Sequence, residues 1–322
     1  MMRTLVRDRY GPPSELRIEN LAVPGVGPGE VRVRVAASSL NDWDRDLLRG
    51  EPLNRAVAPL RPRHRVLGAD AAGVVDAVAP DVVGLSPGDA VMADLSPYGF
   101  AAFAEYAVAP ARAWSAVPAG LSLEQAAALP QATGLAVTGL RGAQPLKPGQ
   151  RVAISGAGGG VGTFALQIAK ASGAYVTAVD AEWKLDALLA LGADAVIDYA
   201  VEDFTTAKGA YDAIVEVAAH HGARDYHRAL APGGVCAVLG GNKRHMVSVL
   251  TLGSALSALG ARRVHMPTWR ANDPRDLAYL RPLLESGDVR PVIDSVVDLA
   301  EVPEVFRRIA TQQHVGKVVV RI

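Results

Sequence analysis

Between residues 151 and 238 short Val/Ile-rich runs alternate with helical patterns, and the first such pair is joined by a burst of glycines. The stretch "VAISGAGGGVGTFALQIAK" (152–170) sets five glycines between an apolar run and an amphipathic one. The strand-like runs are "RVAIS", "AYVTAVD", "AVID", "YDAIVEVA" and "GVCAVLG"; the helix-like ones are "GTFALQIAKASG", "AEWKLDALLALG" and "ARDYHRALAPGG". Strands joined by helices must run parallel, and a parallel sheet buries both faces, so its strands read as continuous apolar runs. The alternation therefore predicts an α/β unit with a doubly wound parallel sheet of the nucleotide-binding kind.

A glycine turn opening a helix lets backbone N–H groups approach a pyrophosphate without Cβ atoms in the way. The register here is Ala157-x-Gly159-x-x-Gly162, with alanine where the first glycine of the usual fingerprint stands. No Gly-Lys-Ser/Thr follows, which disfavours a triphosphate-binding loop. The second strand ends in Asp180, eighteen residues beyond Gly162, where a dinucleotide fold grips the adenosine ribose hydroxyls. The simpler role for Asp180 is a helix N-cap. Strand, turn, helix, strand and acid together predict dinucleotide binding through Gly158, Gly159, Gly160, Val161, Gly162 and Asp180.

The flanks have another rhythm. Up to about Pro118, short runs such as "EVRVRVAAS" and "DAVMADL" are separated by Gly/Pro turns, and "RVRV" alternates charge with valine as a strand with one wet face does. "SLEQAAALPQATGLAVTGLRG" (122–142) reads as helix with Ser122 as N-cap. The tail ending in "GKVVVRI" is too short for a domain and completes the first one. The expected division is 1–120, 121–265 and 266–322, with the middle piece an insert. Lys plus Arg and Asp plus Glu both number 33, so no basic excess favours nucleic acid. Cys236 is the single cysteine and sits in an apolar run, which excludes an internal disulfide and reads as core. The first twenty residues lack the apolar core of a signal peptide, and no apolar stretch approaches a membrane span, so a cytoplasmic protein is expected.

"DRYGPPSELRIE", "ASSLNDWDRDLLRG", "VLGADAAGVVDAV", "LSPGDAVMA", "FAAFAEYAVAP", "GAGGGVGTFALQIAKASGA", "LGADAVIDYAVEDF", "LLESGDVRPVID" and the closing "GKVVV" together resemble the medium-chain dehydrogenase/reductase superfamily, in its zinc-independent quinone oxidoreductase-like branch. The resemblance covers essentially the whole chain. It implies a GroES-like β domain interrupted by a Rossmann domain, NADPH or NADH as cofactor, and a homodimer formed by strand edges, for which the run from "GVCAVLG" to "HMVSVL" is the candidate.

Zinc-dependent relatives carry a cysteine and a later Gly-His-Glu; the matching segments here read "SSLNDWD" and "LGADAAG", without Cys or His. Three metal ligands are not supplied, and no metal is expected. The resemblance assigns Asn41 to the nicotinamide end of the cofactor. Asp44 fills the acid of the same motif, and Asp46 stands where the family often has a tyrosine. Tyr98 and Trp43 are candidates for the acceptor pocket, and aromatic packing is the alternative for both. Leu135 replaces a family threonine, with Thr133 and Thr138 as nearby substitutes. Lys184 holds the place of a basic residue used for an NADPH 2′-phosphate, in competition with Asp180; Tyr199 matches a tyrosine near the adenosine phosphate, and Gly240 and Gly241 suit a backbone approach to the nicotinamide. The implied activity is hydride transfer to a quinone or an α,β-unsaturated carbonyl. An alcohol or ketone dehydrogenase and a dinucleotide-binding protein without turnover are the alternatives.

Overall fold

A computed structural model describes all residues except 142–145, 259 and 310, and the side chain of residue 53. The chain forms two compact units. The first comprises residues 1–131, 271–274 and 293–322; the second comprises 132–270 and 275–292.

In the first unit a seven-stranded sheet runs in the order Ile293–Asp298, Lys317–Arg321, Glu30–Ser39, Asp70–Val78, Ala90–Asp94 and Ser115–Ala116, with Tyr106–Pro110 also paired to Glu30–Ser39. The charge and valine alternation does what its period requires: Val31, Val33 and Val35 are buried, while Arg32 stays outside, ion-paired to Asp76 at 2.7 Å. One core packs Leu47, Leu48 and Leu67 against Phe103 and Phe306, and a second gathers the valines around Leu95 and Trp114. The terminal strand is central to this sheet: Val319 lies opposite Ser39 and Val320 opposite Ser38.

The second unit is a six-stranded, all-parallel sheet in the order Ala195–Asp198, Tyr175–Asp180, Arg151–Ser155, Tyr211–Glu216, Leu230–Val238, Arg263–His265. Counted from its own first strand this is the order 3-2-1-4-5-6 of the doubly wound dinucleotide fold. Cys236 is fully buried on the fifth of these strands.

Three expectations are corrected. The sequence division puts 121–131 with the insert and 266–322 with the outer piece. In the structure 121–131 lies with the first unit, and 266–270 and 275–292 with the second. The Pro274–Ser286 helix is tied there by Arg141, which pairs with Asp276 at 2.7 Å and stacks over Tyr279, and the Arg290 backbone exchanges hydrogen bonds with the Gln167 amide. The helix read over 122–142 is two, Leu123–Ala127 and Pro130–Arg141, with residue 142 outside the described residues. Ser122 caps the first, accepting from Gln125 N–H at 3.2 Å, and Pro130, which has no N–H to continue the ladder, starts the second. The candidate dimer edge is also wrong in place: Leu230–Val238 is paired on both sides, and Lys243–Ser248 is helical. Among the described residues the outer strands of this sheet are Ala195–Asp198 and Arg263–His265.

Candidate functional site

In the second unit the glycine turn follows Arg151–Ser155 and opens the Gly160–Ala171 helix, with Gly159 at the N-cap. The Thr163 N–H donates to Gly159 O at 3.0 Å and is the first in the helical ladder. The N–H groups of Gly160, Val161 and Gly162 precede it, as the first donors of any helix do, and a helix N-terminus of this kind suits an anion. Gly162 has a packing reason of its own: a Cβ there would lie 2.2 Å from Gly156 O and 2.6 Å from Ala157 Cα. The absence of a side chain is what lets the helix seat against the turn.

Asp180 ends the second strand, and both oxygens of its carboxylate have partners. It accepts from Gly158 N–H at 2.7 Å and Ala181 N–H at 2.8 Å, and the Lys184 ammonium lies 3.3 Å away. Both side chains are nearly buried, at 8% and 6% exposure. The Lys184 stem crosses Gly158 so closely that a Cβ there would meet Lys184 Cδ at 2.6 Å. Acid, lysine and turn are therefore one assembly. Tyr199 stands beside it: its N–H donates to Asp180 O at 3.2 Å, and its half-exposed ring lies 6.4 Å from the His220 ring.

Gly240 and Gly241 are engaged with their own chain. Gly241 bridges to Ala219 at φ +113, and a Cβ would fall 2.1 Å from Ala219 N. Its lack of a side chain serves that close backbone approach. Thr133 is buried and Thr138 half-buried in the Pro130–Arg141 helix.

The first unit brings together the segments "SSLNDWD" and "LGADAAG" around Asp70. One Asp70 oxygen accepts from Gln131 N–H at 2.9 Å. The other accepts from Ser39 Oγ at 2.7 Å, from Asn41 Nδ2 at 2.9 Å and from Lys317 Nζ at 3.2 Å. Lys317 also donates to Asn41 Oδ1 at 2.6 Å and to Leu40 O at 3.1 Å. The Asn41 carboxamide is thus clamped at both ends, which fixes its orientation. A metal does not fit this donor set: the one central carboxylate is saturated by four donors, and an ammonium, itself a cation, stands in its coordination space.

Asp44 is fully buried beneath the cluster. Its oxygens accept from Gly68 N–H at 3.0 Å and Asn41 N–H at 3.2 Å, so it ties the Asp42–Arg49 helix to the loop at Gly68. Burial, reinforced by the Asp70 charge, pushes its carboxyl up to about 7 against the pull of these two N–H bonds. Asp46, half-buried on the next turn, has a backbone carbonyl that accepts from Gly50 and Glu51 N–H. The Tyr98 ring lies under Arg112 and packs on the second core. Trp43 meets Phe100 edge-on at 5.9 Å and, with His64 and Arg7, lines a cavity of about 230 Å³.

Lys317, Asp70, Gln131 and Ser39 did not emerge as site residues from the sequence. A signal exists in hindsight, since a lysine opening "KVVV" and an aspartate inside "LGADAAGVV" are ionisable groups in otherwise apolar strands.

Residues 27–119 match the family model "Alcohol dehydrogenase GroES-like domain" and residues 191–320 the model "Zinc-binding dehydrogenase". The chain is 31% identical to a zinc-type alcohol dehydrogenase-like protein of Schizosaccharomyces pombe, over 100% of this chain and 99% of that one. It is 32% identical to the 2-methylene-furan-3-one reductase of Solanum lycopersicum, over 97% and 76%. The solved quinone oxidoreductase of Coxiella burnetii superposes with a TM-score of 0.89 at 26% identity, over 100% and 99%. With the 3-2-1-4-5-6 sheet and its glycine turn in one unit and the GroES-like match in the other, the chain belongs to the medium-chain dehydrogenase/reductase superfamily, in its quinone oxidoreductase-like branch.

Proposed function

We propose that the chain is an NAD(P)H-dependent reductase of conjugated carbonyl compounds, quinones or α,β-unsaturated carbonyls, working without a metal. The observation that carries this reading is the Lys317–Asp70–Asn41 cluster, in which an ammonium stands where metal-dependent relatives assemble their ligands. With no Lewis acid to hold a substrate oxygen, the acceptor must be one whose conjugation spreads the developing charge, and the site's work is orientation and exclusion of water. The names of the tomato furanone reductase and the Coxiella quinone oxidoreductase agree with that class.

In this reading the N–H groups of Gly160, Val161 and Gly162 hold the diphosphate, Asp180 takes the ribose hydroxyls or Lys184 a 2′-phosphate, and Tyr199 flanks the adenosine. The bound nicotinamide supplies the hydride. Asn41, held by Lys317 and Asp70, keeps one carboxamide N–H for an oxygen at the nicotinamide end. Asp44 and Asp46 are positioning and structural groups, and water delivers the final proton. NADH and NADPH both remain in the proposal, because the Asp180–Lys184 pair offers each an anchor. A cytoplasmic homodimer joined at the Arg263–His265 edge belongs to the same reading.

The test is oxidation of NADH and of NADPH by purified protein against a 1,4-quinone and an enone, with zinc content measured on the same sample. Turnover by zinc-free protein that resists EDTA is expected. Stoichiometric zinc with turnover only of an alcohol or ketone would replace this reading with a metal-dependent dehydrogenase.

A further inference from the structure

The second unit holds a cavity of about 370 Å³ that the cofactor reading does not use, lined by Lys208, Arg224, His227, Arg228, Leu256 and Arg262. Lys208 precedes the Tyr211–Glu216 strand and Arg262 precedes Arg263–His265, so the cavity sits at the N-terminal edge of the sheet. The glycine turn follows the C-terminal end of Arg151–Ser155, and the strands are parallel. The two places are separated by a strand length, roughly 16 Å.

The wall is built. Arg228 Nε donates to Thr205 O at 3.1 Å, its Nη2 to Thr205 Oγ1 at 3.3 Å, and Asp225 lies 3.3 Å from the same nitrogen. Lys208, Arg224 and Arg262 have no carboxylate partner among the described residues. Two atoms in the lining are buried with no hydrogen-bond partner among the described residues: Arg262 Nε and His227 Nε2. Buried polar nitrogens left unmade cost roughly 1–3 kcal/mol each, more on a charged group. The favourable field of the Ala223–Ala229 helix C-terminus accounts for His227 and Arg228. It does not account for Arg262 or Lys208, which come from other segments. Four guanidinium or ammonium groups face two carboxylates, Asp225 and Asp203, the second of which also feels the Arg228 charge, leaving an excess of two positive charges around a space of about a dozen waters. Arginine forks match phosphate oxygens two at a time.

We propose that this cavity binds a small multivalent phosphate compound of diphosphate size or larger, at a site separate from the cofactor turn. Arg262 Nε and His227 Nε2 are the two nitrogens the ligand would partner, and Arg224 and Lys208 close over it from the rim.

The experiment is calorimetric titration of the full chain with pyrophosphate, inorganic phosphate and citrate, in wild type and in Arg224→Gln, Arg262→Gln and Lys184→Ala. Expected is saturable 1:1 binding of pyrophosphate, tighter than citrate, weakened about tenfold by either arginine change and unaffected by Lys184→Ala. Arg224 is exposed, so its variant tests the site even if Arg262→Gln fails to fold. Loss of binding in Lys184→Ala, or displacement of pyrophosphate by saturating NADH or NADPH, would return the anion to the cofactor turn and overturn the proposal. So would citrate binding as tightly as pyrophosphate, or no binding of any probe. Sedimentation of the same variants adds a control: a changed oligomeric state with anion binding intact would mean that the charges serve a second copy. None of these readouts needs turnover, so failure of the reductase reading would leave the result interpretable.

Discussion

Lys317 Nζ lies 3.2 Å from Asp70 Oδ2, with the two side chains 3% and 0% exposed and 247 positions apart in the chain. It fastens the terminal strand to the segment that carries Asn41. Removing one member of a buried pair strands the other charge, at a cost of about 3–5 kcal/mol, whereas removing both is far milder. Lys317→Met and Asp70→Asn are each expected to lower the urea midpoint strongly, and the double variant to recover most of the loss. Equal or additive losses would show that the ion pair is not the unit that matters.

Cofactor choice turns on Asp180 and Lys184. The carboxylate would repel a 2′-phosphate, by an amount that solvent and salt reduce to about 1 kcal/mol, or tenfold in affinity. Asp180→Ala is expected to raise the NADPH-to-NADH affinity ratio by about that factor, and Lys184→Ala to lower it. Fluorescence titration with both cofactors reads the ratio directly. A ratio unmoved by either change would remove the pair from specificity.

Gly162 is a steric requirement. Gly162→Ala would drive its Cβ into Gly156 O and Ala157, displacing the turn, and is expected to cost about 2 kcal/mol or more and to weaken cofactor binding. Gly25, whose Cβ would meet nothing within 4 Å, is the control: Gly25→Ala is expected to leave both unchanged. Tight cofactor binding by Gly162→Ala would refute the role of the turn.

Glu216 is fully buried, its oxygens accepting from Tyr226 OH and Ala218 N–H at 3.0 Å each. Burial pushes its carboxyl up to about 7, against the opposing hydrogen bonds from Ser155, Tyr226 and Ala218. The folded pKa exceeds the unfolded value, so the folded state holds the extra proton between them. Stability is therefore expected to fall as pH rises from about 4.5 to 7, by on the order of 3 kcal/mol from this group. Glu216→Gln should flatten that part of the pH–stability curve, as measured by chemical denaturation at several pH values. An unchanged slope would assign the effect to Asp44 or Asp94, whose carboxyls burial also raises.

What the sequence discloses here is local. The glycine turn, Asp180 at the second strand end and the valine alternation of 31–35 are patterns within a few residues, and backbone sterics and side-chain period decide them. The clamp on Asn41 is not local: Lys317, Asp70 and Gln131 come from three distant segments. Strand order is likewise set by packing, which is why Leu230–Val238, apolar enough for an exposed edge to be read into it, lies inside the sheet. The surroundings of Tyr98 are of the same kind, since only the fold shows that its ring packs against a core. The cations around the 370 Å³ cavity are drawn from three segments, and a neutral overall charge conceals their concentration.

Cys236 is the one thiol in the chain, fully buried on an interior strand, with its ionisation pushed well up by burial and by Glu216. A thiol reagent in solution reaches it only when the parallel sheet opens. The rate of labelling is then a clock for that opening, built into the native sequence and needing no engineered probe. Read with and without a bound nucleotide, it reports how far ligand shifts the sheet's own equilibrium.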